Sequence, residues 1–511
     1  MHRIAPHQPH PLFNTAATRA IEHAAAAALP PHTLMQRAGL AVARLARALA
    51  PHARTVWIAC GPGNNGGDGL EAAAHLQSDG RQVVVTWLGE PARCPADALA
   101  SWRRAQSAGV LWADSPPEHL TAADLCIDAL LGIGISSRPS APIRVPDDRL
   151  RACLQALRHS AAPVLAVDLP SGLDADTGQF ASGLAPDTGH PAHACPSPTP
   201  ARHTLSLLTL KPGLFTAAGR DAAGQVWLDE LGVAAHHAAP PSAWLTGPAL
   251  AAPRAHASHK GSYGDVAVVG GQGLGERGMG MAGAALLAAS AALHAGAGRV
   301  LVALLDDGYL QLDVQQPELM LRRFEALELE KLTVVCGCGG GQAVGRVLTE
   351  VITRAARLVL DADALNAIAS NAALHALVVA RGQHGQPTVL TPHPLEAARL
   401  LGLSTAEVQA DRLAAAHQLA AQFNCVAVLK GSGTVVADVA RVPAINPTGN
   451  GRLATAGTGD VLAGIVGACL AAGASPLRAA SEAAYRHGQV ADEWPAGQAL
   501  TASALARRVG G

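Results

Sequence analysis

Short apolar runs that end in Gly, Asp or Pro recur along this 511-residue chain, separated by Ala/Leu-rich stretches of helical character. Residues 55–61 (TVWIACG), 124–131 (DLCIDALL) and 162–169 (APVLAVDL) form one set. Residues 265–271, 299–305, 332–337, 357–363 and 387–391 repeat the scheme. Strand–helix alternation of this kind predicts parallel sheets with helices on both faces. The length exceeds what one ordinary core accommodates, so two domains are the default. A stretch rich in Ala, Pro and His at 232–258 has no clear period and is the expected linker, giving domains 1–235 and 236–511. Residues 183–202 also lack apolar periodicity and are expected to be a surface loop near the end of the first domain.

Composition narrows the function classes. Aromatic residues are only 3% of a chain that is 49% hydrophobic, so Ala, Val and Leu must fill the cores. Lys+Arg 38 against Asp+Glu 39 leaves a formal charge of -1, which gives no general attraction to nucleic acid or anionic lipid. Nine cysteines without a CxxC pair favour buried small hydrophobes in a reducing cytoplasm over a disulfide framework. The N-terminus shows no apolar h-region after a basic start, so no signal peptide is read there. The Ala-rich stretch 281–297 carries His294 and glycines, and reads as a core helix rather than a membrane span.

The strongest motif of the first half is C-G-P-G-N-N-G-G-D-G at 60–69, between an apolar strand and a helix expected to begin near Leu70. Its glycines allow tight turns, and the helix start offers unpaired N–H groups to a phosphate-bearing ligand. Alone, a glycine-rich turn is weak evidence. Two further strand ends supply carboxylates, Asp128 before L-L-G-I-G and Asp168 in V-D-L-P-S-G-L-D. Ligands of open α/β sheets sit at the carboxyl ends of strands, so these three loops can converge on one crevice. Asp168 is the choice for acid/base work, because it stands alone at a strand end facing that crevice.

Together, residues 60–69, 128–134 and 168–178 resemble the NAD(P)H-hydrate epimerase domain family, a Rossmann-like three-layer α/β/α fold, over roughly residues 15–235. The resemblance implies that Asn64, Asn65, Gly66, Gly67 and Asp68 contact a hydrated dinucleotide. The loop Gly132, Ile133, Gly134, Ile135, Ser136, Ser137 and Arg138, with Asp168, would complete that site. It also implies a potassium ion held by Asn65, Asp128 and Ser171, an oxygen donor set that suits a hard cation. Ile133 departs from the threonine common in the G-x-G loop, and the 183–202 stretch is longer than the family pattern. Inversion at the hydrated ring carbon can proceed by ring opening or by loss and return of water.

In the second half, A-T-A-G-T-G-D-V-L-A-G at 454–464 opens an Ala/Leu/Val helix with a glycine-rich turn. Its N–H groups would form an anion hole for a transferring phosphoryl group, with Asp460 placed to take a proton from the attacking hydroxyl. The plain alternative is an acidic residue complementing the helix dipole. Upstream, Lys430, Gly431, Ser432, Gly433 and Thr434 read as a strand end and hairpin turn. Lysine occurs only at 211, 260, 331 and 430, and Lys211 and Lys331 read as surface survivors.

The segments 259–264, 280–285, 360–366, 391–396, 430–434 and 456–460 resemble the ribokinase-like family, and within it the ADP- or ATP-dependent NAD(P)H-hydrate dehydratases. The second domain is therefore expected to be a ribokinase-like α/β sheet. The resemblance implies that Lys430 to Thr434, Asn450, Gly457, Thr458 and Gly459 cradle the nucleotide, whose phosphates magnesium would accompany. Gly339 or Gly341, His393 and Asp460 would touch the hydrated cofactor. Cys338 replaces the proline of the family's G-P-G-x-G loop. The implied chemistry is phosphorylation of the ring hydroxyl with Asp460 as base, then loss of phosphate to restore the dihydropyridine. The expected partners are hydrated NADH or NADPH and ADP or ATP, in a cytoplasmic homo-oligomer with no nucleic acid and no membrane. Two other readings remain: a kinase that releases a stable phosphorylated product, and a first domain that binds hydrated cofactor without catalysis.

Overall fold

The computed structural model describes residues 1–137, 147–186, 201–234, 238–248, 255–274, 278–305 and 311–510. Contacts divide the chain into two compact units, Met1–Ala5 with Pro11–Ala243, and Pro6–His10 with Trp244–Gly511.

In the first unit the sheet runs His2–Arg3, Gln225–Asp229, Arg202–Leu207, Val164–Val167, Leu125–Ala129, Thr55–Cys60, Gln82–Trp87, Leu111–Trp112. All pairs are parallel except the first. Alternate side chains serve opposite faces. Ile58 and Ile127 join a core with the helices Thr33–Leu49 and Asn64–Ser78, while Trp57, Ala59 and Cys126 join one with Leu150, Leu154 and Leu157 of the helix Asp148–His159. This is the expected α/β/α layering. Strand order reverses between Thr55–Cys60 and Leu125–Ala129, so the loops after those two strands border a crevice.

The sheet of the second unit runs Met320–Leu321, Arg299–Leu304, Asp265–Gly270, Thr333–Cys336, Arg357–Leu360, Thr388–Leu390, Val426–Leu429, Val435–Ala437, Ala444–Ile445. It is parallel as far as Val426–Leu429, then turns back through two antiparallel pairs. Val266 and Val268 face one core, Ala267 and Val269 the other. With so few aromatics, small residues bring helices close together. A Cβ on Gly464 would lie 2.1 Å from the Ala288 carbonyl oxygen, so the helices Thr458–Ala471 and Ala282–His294 touch through backbone. The Ala-rich helix is thus a core element, and among the described residues no single helix is long and apolar enough to cross a membrane.

Several expectations change. The helix expected near Leu70 begins at Asn64, with Gly63 as its N-cap. The motif's glycines serve close packing more than turns: a Cβ on Gly66 would lie 1.9 Å from the Gly61 carbonyl oxygen. The 232–258 stretch contains a strand, Ala243–Leu245, whose Trp244 and Leu245 pair with Ala444 and Ile445. Of the 183–202 stretch, residues 187–200 lie outside the described residues, and Arg202 already begins a strand. Of the cysteines, Cys94 and Cys425 are half-buried rather than buried, and Cys195 lies outside the described residues.

Candidate active sites

In the first unit a cavity of about 710 Å³ opens where the strand order reverses. Asn64, Asn65 and Asp68 line it from the first turns of their helix, Gly132 to Ile135 from the loop after Leu125–Ala129, and Asp168 from the end of Val164–Val167. Gly66 and Gly67 are buried beneath this wall and do not reach it. Ser136 and Ser137 also lie off the lining, and Ser137 spends its N–H and hydroxyl on Asp174 Oδ2, at 2.6 and 3.1 Å. Arg138 lies outside the described residues.

Asp168 does not stand alone. The Lys211 ammonium pairs with its Oδ1, and the Leu207 N–H donates to the same oxygen at 3.0 Å. Lys211 is 0% exposed and lines the cavity, which overturns its reading as a surface lysine. Only its rarity in the sequence pointed to it. Lys331, by contrast, is exposed.

Asp128 and Ser171 are adjacent and buried. The Ser171 N–H donates to Asp128 Oδ2 at 2.9 Å, and the Ser171 hydroxyl donates to Oδ1 at 2.5 Å. The Leu131 N–H donates to the Ser171 hydroxyl at 2.9 Å. Gly132, next along, packs on Asn65: a Cβ there would lie 3.2 Å from Asn65 Cβ. The Asn65 amide nitrogen is buried without a hydrogen-bond partner. Burial pushes the Asp128 carboxyl up from its ordinary value, a cost that a bound cation would offset. An amide, a carboxylate and a hydroxyl around one loop fit a hard monovalent cation.

In the second unit, the carboxyl ends of four parallel strands meet the start of one helix. Cys338 follows Thr333–Cys336, Asp361 follows Arg357–Leu360, Thr391 and His393 follow Thr388–Leu390, and Lys430 follows Val426–Leu429. Lys430 Nζ donates to Asp361 Oδ1 at 2.8 Å and lies 4.0 Å from Glu396 Oε2. The Thr391 hydroxyl donates to the same Asp361 oxygen at 2.8 Å. Asp460 stands in the first turn of Thr458–Ala471, whose N-cap Gly457 has φ +86°. A Cβ on Gly459 would sit 3.4 Å from Lys430 Nζ, so the glycine-rich turn rests on this lysine. Ligand atoms of Cys338, Asp361 and Asp460 lie within 4.8 Å of one another. Burial, then the Asp361 charge, pushes the Asp460 carboxyl up to about 7, the range of a general base at neutral pH. Burial raises Glu396 to about 7 as well.

Other expected residues take supporting places. His393 is the N-cap of the helix Pro394–Leu401: its Nδ1 accepts the Leu395 and Glu396 N–H groups at 3.1 and 3.3 Å, and its ring is 45% exposed beside the lysine pair. Burial and the Lys430 charge lower its pKa, which keeps Nδ1 free of a proton to accept these bonds. The Asn450 amide donates to the Ala491 carbonyl at 2.9 Å and Asp492 Oδ1 at 2.8 Å, so its side chain shapes the loop. The Thr458 hydroxyl donates to backbone carbonyls, leaving its N–H in the helix start. Gly431 and Gly433 take positive φ in the hairpin turn, Ser432 is exposed, and Thr434 is half-buried. Gly339 (φ +59°) is buried against Met281, while the N–H of Gly341 (φ +52°) donates to Asp363 Oδ2 at 2.8 Å. Asp361 and Glu396 were not singled out from the sequence, although both stand in the quoted segments 360–366 and 391–396.

The fold and these two sites define a two-domain α/β protein with a cavity of about 710 Å³ in one unit and a lysine–carboxylate cluster at a glycine-rich helix start in the other. Residues 31–213 match the family described as YjeF-related protein N-terminus, and residues 266–509 the family NAD(P)H-hydrate dehydratase. The bifunctional NAD(P)H-hydrate repair enzyme Nnr of Escherichia coli is 35% identical over 490 residues, covering 90% of this chain and 85% of its own. Its counterpart from Coxiella burnetii is 33% identical, covering 90% of each. A solved ADP/ATP-dependent NAD(P)H-hydrate dehydratase from Bacillus subtilis, crystallised with ATP and Mg2+, is 30% identical over 50% of this chain and 91% of that one, with a TM-score of 0.41. The chain belongs to the family of bifunctional NAD(P)H-hydrate repair enzymes.

Proposed function

We propose that the chain restores hydrated NADH and NADPH: residues 1–235 interconvert the R and S hydrates, and residues 236–511 dehydrate the S hydrate with ADP or ATP. The observation that supports this best is the meeting of Asp460, Asp361 and Lys430 at the glycine-rich helix start. Asp460 takes the proton of the ring hydroxyl as its oxygen attacks the terminal phosphoryl group, whose charge faces the N–H groups of Gly457 to Asp460 and the Lys430 ammonium. The nucleotide leaves one phosphate shorter. Phosphate then departs with its bonding pair, the neighbouring ring carbon loses a proton, and the dihydropyridine is restored. Phosphate is a far better leaving group than hydroxide.

Lys430 to Thr434 and Gly457 to Gly459 hold the nucleotide in this reading. Magnesium beside its phosphates would neutralise charge. His393, Gly341 and Gly339 border the hydrated cofactor. In the first unit Asn64, Asn65, Asp68, Gly132 to Ile135 and Asp168 form the dinucleotide site, and Asn65, Asp128 and Ser171 hold potassium, which would order that loop. The protein acts as a cytoplasmic homo-oligomer without nucleic acid or membrane partners. The test is to supply purified S hydrate with each nucleotide: NAD(P)H and free phosphate support the reading, whereas a stable phosphorylated hydrate makes the second unit a kinase.

A further inference from the structure

Asp168 is a non-glycine residue at φ +68°, a left-handed backbone that an L side chain adopts only under constraint. The constraint is visible: its Oδ1 is held by the Lys211 ammonium and the Leu207 N–H, and Lys211 Nζ also donates to the Leu207 carbonyl at 2.8 Å. A fully buried lysine spent on a carboxylate at a cavity wall is costly by folding alone, since an apolar pair of similar volume would serve a core as well. Asp68, half-buried on the first turns of its helix, lines the same cavity, and so does Glu22.

We infer that the epimerase cavity works with two carboxyl groups in unlike roles, Asp168 as proton acceptor and Asp68 as proton donor, and that Lys211 is the positioning residue that fixes Asp168. This rests on the epimerase reading of the first unit. Burial, then the neighbouring Asp168, Glu22 and Glu71 carboxylates, push the Asp68 carboxyl well above the usual range, a shift toward the proton-bearing form that a donor needs. Lys211 acts on it in the opposite direction. Arg19 and Asp97 are the other charged groups on the walls nearest Glu22.

Both routes to inversion need one donor and one acceptor. Hydration of an enamine puts the hydroxyl on the carbon next to the ring nitrogen. In ring opening, Asp168 takes the hydroxyl proton, the C–O double bond forms, and the C–N bond breaks with its pair going to nitrogen. The nitrogen then takes the Asp68 proton. Rotation and reversal of the same transfers close the ring on the other face. In the alternative, Asp68 protonates the hydroxyl, water leaves, and the nitrogen lone pair forms the C–N double bond. Water adds to the opposite face as Asp168 takes its proton. Either way each carboxyl must begin in its own state of protonation.

The experiment follows epimer interconversion against pH in the full-length chain, for the unaltered protein, Asp68→Asn and Lys211→Met. The unaltered rate should fall at alkaline pH as Asp68 loses its proton, and Asp68→Asn should lose about 10²- to 10⁴-fold. Lys211→Met should be slower, and its alkaline limb should move to higher pH, because the charge that lowers the Asp68 pKa is gone. A limb that does not belong to Asp68 would stay in place. If Lys211→Met does not fold, Lys211→Gln carries the same reading. An unmoved limb in a folded Lys211 variant, or Asp68→Asn at the unaltered rate, overturns the inference. So does a limb that vanishes in Glu22→Gln and persists in Asp68→Asn. A parent chain that interconverts nothing contradicts the epimerase reading itself.

Discussion

Lys430 Nζ lies 2.8 Å from Asp361 Oδ1, and Asp361 in turn raises the pKa of Asp460. The three residues come from the ends of two strands and the start of a helix, so Asp460, the proposed base of the second site, is tuned by groups far from it in sequence. That coupling makes the site testable through charge as well as through chemistry.

Asp460→Asn should abolish dehydration and leave epimer interconversion nearly intact. Loss of a general base costs about 10²- to 10⁴-fold in rate. Recovery of NADH from the S hydrate at the parent rate would remove Asp460 from the mechanism.

The pH dependence of dehydration follows from the same group. A base with its pKa at about 7 is protonated and idle below that value, so kcat should rise through neutral pH. Asp361 raises this pKa and Lys430 lowers it, with Asp363 raising it and the Cys338 thiol lowering it by hydrogen bonding. Asp361→Asn should therefore move the acidic limb to lower pH, in a kcat–pH profile on the S hydrate. A shift to higher pH contradicts the coupling.

Much of this was legible in the sequence. The strands Thr55–Cys60, Leu125–Ala129 and Asp265–Gly270 were marked by their unbroken apolar runs, and the helix start at Thr458 by its glycines. What the sequence hid was pairing. Asp168 and Lys211 lie on either side of the strand Arg202–Leu207 in sequence, and nothing local says that one meets the other. The early start of the helix at Asn64 was hidden by glycines, whose low propensity argues for a turn until close packing against the Gly61 carbonyl is seen. Asn450 and His393, which the resemblance implies as ligand contacts, cap local backbone with their side chains, a role that shares its residue types with binding.

Asp128→Ala should remove the charged member of the proposed potassium trio. Ion and dinucleotide binding should both weaken, and repair of a mixed substrate should stop once the directly usable epimer is consumed. Short assays against an enzyme-free control read this out, because the epimers also exchange unaided. Unchanged interconversion, together with no effect of removing potassium, would make Asp128 a structural strand-end residue.

Gly66→Ala tests the packing that sets the first site. Its Cβ would fall 1.9 Å from the Gly61 carbonyl oxygen, a backbone atom that cannot step aside. Overpacking of this kind costs about 1–3 kcal/mol or more, so the first unit should unfold at lower temperature in calorimetry. An unchanged transition would mean that the loop relaxes freely.

The decisive measurement mixes the two NADH hydrate epimers with the full-length chain, potassium, magnesium and either ADP or ATP, and follows dihydronicotinamide absorbance. The account predicts recovery of both epimers as NADH, in step with release of free phosphate. Absorbance that stays flat with either nucleotide, or phosphate retained on an accumulating hydrate, would contradict it.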